Sequence, residues 1–204
     1  ALGNLATLSL RRNDLPTASR YIDRCLQLER ATGNTFGIVL GLEFRGQILL
    51  AQGDVPAARA SLEDSLTLSQ SIGDVYGEAM ALHQLGLAAQ REGNRQQAVT
   101  LLTVALLRRH EAGDREDLAV SLDSVAALAL DTDPALAVRL LAAADRLRTR
   151  HRLPTPPDAT GQRATLAAAR AALDARAFAA AWSGGQDAPL DLVIDQALDL
   201  SPDP

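Results

Sequence analysis

The stretch SIGDVYG, residues 71–77, sets a glycine beside an aspartate and places a second glycine just ahead of an apolar run. A glycine-rich loop that opens a helix can hold an anion on its free N–H groups, so the stretch first suggests a phosphate cradle or a metal turn. The rest of the chain gives it a plainer meaning. ATGNTFG at 31–37 and EAGDRED at 111–117 share its phase, so that Gly33, Gly73 and Gly113 recur every 40 residues. A second register agrees: RRNDLPTA at 11–18, AQGDVPAA at 51–58 and REGNRQQA at 91–98 also step by 40. The copies share no basic residue, so these glycines punctuate a repeat and do not cradle a phosphate. The chain also lacks lysine and any Walker-type glycine-lysine loop, which argues against an ATP site of that kind within it.

Between the turns lie stretches of about 15–18 residues with helical spacing, such as Ala58, Leu62, Ser65, Leu66 and Ile72, or Ala98, Leu102, Ala105 and Leu106. Gly53 and Gly93 stand where a helix ends in a left-handed residue. Asp54 and Asn94 follow as N-caps, and Pro56 falls in a first turn, where its missing N–H costs nothing. Gly73 and Asp74 serve the other turn in the same way. The pattern predicts helices over 1–12, 15–31, 36–51, 55–71, 76–91, 95–111, 116–130 and 134–150. These make about four helical hairpins, which bury their apolar faces only by stacking, and the expected fold is an all-α solenoid with a concave side. Composition agrees: 204 residues with 47% hydrophobic but only 3% aromatic content favour a core of Leu, Ala and Val between close helices.

Several function classes are disfavoured. A formal net charge of -5 argues against direct nucleic-acid binding, which needs clustered cations to neutralise phosphates. The single cysteine, Cys25, forms no internal disulfide and is expected to fill a small-residue packing position. No apolar run of about 18 residues and no signal-peptide pattern occurs, so no membrane segment is expected and the expected compartment is the cytoplasm. The three histidines, His83, His110 and His151, form no close ligand pair, and no triad or nucleophile elbow is visible. No metal, no cofactor and no enzymatic activity are therefore expected. The only methionine is Met80, so the chain is expected to be a piece of a larger protein.

Aligned, the repeats read LGNLATLSLRRNDLPTASRYIDRCL (2–26), LEFRGQILLAQGDVPAARASLEDSL (42–66) and LHQLGLAAQREGNRQQAVTLLTVAL (82–106). Leu82, Leu85, Gly86, Ala98, Leu102 and Ala105 follow the large-small order of the tetratricopeptide repeat, and so do Leu42, Gly46, Ala58, Leu62 and Ser65. Leu2, Leu5, Ala6, Ala18, Ile22 and Cys25 follow it in the first copy. The chain resembles that family in a longer, superhelical variant. Arg45 stands where the family has Leu, the usual proline closing the second helix is absent, and the period exceeds the family's usual length. The tail resembles something narrower. AVRLLAAADRLRTRHRLPTPPD, then LAAARAALDARAFAAAWSGG and PLDLVIDQAL, look like the end of the helical-repeat region of large actinobacterial STAND or LuxR-type ATP-dependent transcriptional regulators. That resemblance implies an ATPase module and a DNA-binding module in the parent protein, outside this chain.

Stacked repeats bring positions 40 apart into columns on the expected groove wall. Glu43, His83 and Asp123 form one column; Gln47, Leu87 and Ala127, then Ala51, Arg91 and Asp131, form its neighbours. From these, Glu43, Gln47, His83, Leu87, Arg91, Asp123 and Asp131 are the candidate residues for receiving a protein, a peptide or a small effector, with His83 as a proton-sensitive centre. A solvated wall with incidental charges is the plainer alternative. The expected organisation is a repeat superhelix over 1–151, a Pro-rich linker over 152–158 and a helical C-terminal cap over 159–204. In the cap, Leu166, Ala169, Leu173, Phe178 and Trp182 cover the last hairpin, and a short helix begins near Pro189. By the resemblance, the chain would be the sensor or interaction arm of a regulator; a generic protein-protein scaffold with no DNA-linked switch is the alternative.

Overall fold

A computed structural model describes residues 2–153 and 160–200, with the side chain of Thr160 left aside. Among the described residues the secondary structure is helical throughout, in eleven α-helices. The first eight are α1 (Leu2–Arg11), α2 (Leu15–Thr32), α3 (Thr35–Gln52), α4 (Val55–Ile72), α5 (Val75–Arg91), α6 (Arg95–Glu111), α7 (Arg115–Ala129) and α8 (Pro134–His151). They reproduce the predicted helices to within two residues at each end. The architecture is an all-α solenoid of helical hairpins. Three further helices follow: α9 (Thr160–Ala172), α10 (Ala175–Asp187) and α11 (Leu190–Leu198).

The turns explain why the helices stop where they do. Gly33, Gly53, Gly73, Gly93 and Gly113 all take left-handed φ between 67° and 83°, and no side chain strains there because none exists. In the 71–77 stretch, Asp74 N–H donates back to the Ser69 carbonyl (2.9 Å), while the Asp74 carboxylate accepts from Gly77 N–H (3.0 Å). One residue closes α4 and opens α5. The first copy places Asn13 at the position of Gly53, with φ 58°, and asparagine is among the few other residues that enter this region cheaply.

The chain forms two compact units, residues 1–94 and 95–204. In the first, α1 to α5 pack each on the next, with α3 also touching α1 and α5. Small residues allow the close approach: a β-carbon on Gly46 would lie 2.5 Å from Leu62 Cδ2, and one on Gly41 2.6 Å from Leu26 Cδ2. Leu62 is fully buried, and burying a leucine stabilises by roughly 2 kcal/mol. Ser61 and Ser65 of α4 are buried as well, and each hydroxyl donates to an α3 carbonyl, Leu42 (2.9 Å) and Val39 (3.1 Å). Cys25 packs partly buried against the cluster of Ala6, Ala18, Ile22 and Ile48. Arg45 points outward and approaches Asp23 at 4.0 Å.

In the second unit α6, α7 and α8 pack in order, and α8 also carries α9, α10 and α11 against it. Leu166 to Trp182 fall on two helices: Leu173 and Asp174 break the run, and Asp174 caps α10 by accepting from Ala177 N–H (2.7 Å). Phe178 and Trp182, stacked with ring centroids 6.2 Å apart, cover Val138, Ala169 and Ala181. The predicted linker over 152–158 lies outside the described residues except for Arg152, which ends α8 in a left-handed conformation, and Leu153.

Candidate functional site

The helix face that carries the candidates in the first unit starts at the turns. Residues 36, 40, 43 and 47 of α3 fall within about 60° of one another around the axis, as do 76, 80, 83 and 87 of α5. Exposure falls steeply along both. Phe36 is 62% exposed and Leu40 45%, whereas Glu43, two turns in, is 1% exposed. On α5, Tyr76 is 59% exposed and His83 3%. Gln47 and Leu87 are half-buried, and Arg91, the last residue of α5, is exposed. The expected open groove wall is therefore closed at Glu43 and His83: neither presents its side chain to solvent, because helix packing covers the middle of each helix and spares the ends.

What remains open is an apolar strip at the starts of α3 and α5, made of Phe36, Leu40, Val75 (43% exposed) and Tyr76. It is in phase with the repeat. Phe36 and Tyr76 are 40 residues apart and each precedes a glycine of the turn motif. Gly77 is buried, and a β-carbon there would meet Val39 Cγ1 of α3 at 2.9 Å, so the missing side chain is what lets the start of α5 lie against α3. Sequence reading passed over these aromatics because it looked for polar chemistry in the columns. The available signal was that two of only five phenylalanine and tyrosine residues occupy equivalent repeat positions.

The second unit holds the other two candidates. Asp131 is exposed in the α7–α8 turn. Asp123 is committed to Arg148: Arg148 Nη1 donates to its Oδ1 (3.3 Å), Nη2 donates to Oδ2, and the two side chains are only 14% and 10% exposed. Burial pushes the Asp123 carboxyl above its ordinary range, and the Arg148 hydrogen bond and charge pull it back only in part. A cleft of about 680 Å³ opens beside Phe178 and Trp182, where the Arg170 guanidinium sits 4.5 Å above the Phe178 ring. Among the described residues no group of three or more His, Cys, Asp or Glu side chains is placed to hold a metal ion, and no helix is long and apolar enough to cross a membrane.

No curated protein matches the chain. Residues 38–106, from α3 into α6, match the family model described as Tetratricopeptide repeat. The matched span includes Leu40, Val75 and Tyr76 of the exposed strip and the helical hairpins that create it, and the chain thus contains a tetratricopeptide-like region of the kind that generally mediates protein-protein interaction.

Proposed function

We propose that the chain is a protein- or effector-binding helical-repeat region, acting in the cytoplasm as the sensor or interaction arm of a bacterial transcriptional regulator. The observation that carries the binding role is the exposed strip of Phe36, Leu40, Val75 and Tyr76, repeated in phase on two successive hairpins. Aromatic side chains supply large contact area at low entropy cost, which suits them to anchor a partner's apolar side chains. Beyond the covered Glu43 and His83, Gln47 and Leu87 are half-buried, and Arg91, exposed at the end of α5, offers a charge to a partner carboxylate. The regulator role is supported by the resemblance of the tail, and it requires an ATPase module and a DNA-binding module in the parent protein. A partner bound at the strip would shift the parent's switch only through unequal affinity for its two states.

Two measurements test this reading. A pull-down with the 204-residue chain should retain a partner that a Phe36→Ala/Tyr76→Ala variant loses at least tenfold, with the variant's thermal unfolding unchanged because both side chains are exposed. Equal retention would discard the strip. The coding sequence on either side of Ala1 and Pro204 tests the regulator: a nucleotide-binding module together with a DNA-binding module supports it, and neither leaves a scaffold.

A further inference from the structure

The second unit contains a cavity of about 420 Å³ lined by Arg115, Arg146, Arg150 and His151, together with Leu147 and Pro189. For a chain with a net charge of -5 this is a marked local excess of cations. Asp187 is the one carboxylate on the lining, and its Oδ2 already accepts from the Ser183 hydroxyl at 2.8 Å. Among the described residues Arg115, Arg150 and His151 make no ion pair. Arg146 is held in place instead: its Nη1 donates to the carbonyls of Gln186 (2.7 Å) and Ala188 (2.6 Å), and among the described residues its Nε and Nη2 make no hydrogen bond. A guanidinium fixed by one nitrogen and free at two others is pre-organised to bind an anion.

We propose that this cavity binds a small phosphate monoester. Three guanidinium forks suit a phosphate monoester better than a carboxylate, which brings only one charge and two oxygens to share among them. A phosphate dianion has three oxygens to distribute among the forks. The start of α11 also borders the cavity without a side-chain cap at Pro189, but Asp191 in its first turn, paired with His110 at 3.0 Å, offsets the helix dipole, so the arginines carry the field. Leu147 and Pro189 give the ester's organic part an apolar wall, and the volume is within the range of small-ligand sites. The site is separate in its chemistry from the α3 and α5 strip, so either can fail without the other.

The test is calorimetric titration of the 204-residue chain with phenyl phosphate at low salt, with benzoate and inorganic phosphate as parallel arms. Saturable binding of one phenyl phosphate per chain is expected. It should weaken at least tenfold in Arg115→Gln/Arg150→Gln, two exposed positions whose replacement leaves the fold intact, and stay unchanged in Arg12→Gln, an exposed position outside both sites. Asp187→Asn should tighten it by removing the one carboxylate. Absence of saturable binding, or equal binding in the double variant, overturns the site. Benzoate binding as tightly as phenyl phosphate overturns the phosphate assignment, and inorganic phosphate binding as tightly overturns the ester.

Discussion

In residues 1–94 the polar side chains buried within α4 are serines, whereas in residues 95–204 arginines are buried. Ser61 and Ser65 each find a backbone carbonyl on α3, and Ser69 finds the Ser65 carbonyl one turn back at 2.9 Å. Arg109, 3% exposed, instead reaches across to α7 and donates to the Asp117 carbonyl (3.0 Å) and the Ser121 hydroxyl (2.6 Å). Arg148 holds Asp123, and Arg139 donates to Gln196 Oε1 (3.1 Å) of α11. The difference teaches where α4, and where the α6–α8 packing, is vulnerable. A serine needs one acceptor, which a neighbouring helix backbone always offers, while a buried arginine needs a particular partner and is costly without it.

The largest break in this comparison should come from Arg148→Met. It leaves Asp123 buried without its cation, and removing one partner of a buried pair costs about 3 kcal/mol. Ser61→Ala, which frees only a carbonyl, should cost about 1 kcal/mol. Urea unfolding measures both, and equal losses would erase the contrast. The next test exchanges glycines. Gly185→Ala drives a β-carbon into the backbone carbonyl of Arg139, whose carbon would lie at 2.9 Å, and backbone does not yield cheaply. We expect a loss of about 2–3 kcal/mol. Gly46→Ala meets the buried Leu62 side chain at Cδ2 (2.5 Å) and Cγ (2.6 Å), which can shift more readily than backbone, and gains helix propensity worth roughly 1 kcal/mol, so its net loss should be the smaller, about 1–2 kcal/mol. Thermal unfolding of the two variants should show the first to be the more damaged.

The smallest effect is a dependence on pH. Burial, offset only in part by Arg148, holds the Asp123 carboxyl above its ordinary value of 3.8, so the folded chain takes up this proton before the unfolded chain does. The contribution of Asp123 to stability therefore rises as pH falls from above its native value towards 3.8, and is lost again as pH rises. The unfolding free energy of the native chain minus that of Asp123→Asn should increase on acidification across that window. A difference that decreases on acidification would mean that the Arg148 pair outweighs burial.

Much of the fold was legible because its signals are local. The Gly73–Asp74 turn is decided by a left-handed residue and a carboxylate three positions from the N–H it caps. The 40-residue phase repeats that decision along the chain, and the eight helix boundaries follow. The break at Leu173 and Asp174 was less visible, since apolar spacing continues across it and only the capping role of Asp174 divides α9 from α10. The candidate site was legible in direction but not in depth. Periodicity chose the face that holds Glu43 and His83, yet could not say that neighbours cover its middle and leave Phe36 and Tyr76 at its open end.

The sequence by itself determined the hairpin, its length, its caps and the phase in which side chains recur, because helix periodicity and capping act over three or four residues. Only tertiary structure decided which members of one face reach solvent and which arginines converge on a common cavity. Arg148 meets Asp123 across 25 positions and Arg146 meets Ala188 across 42, and no local pattern encodes a partner brought so far by the packing of α8 against its neighbours.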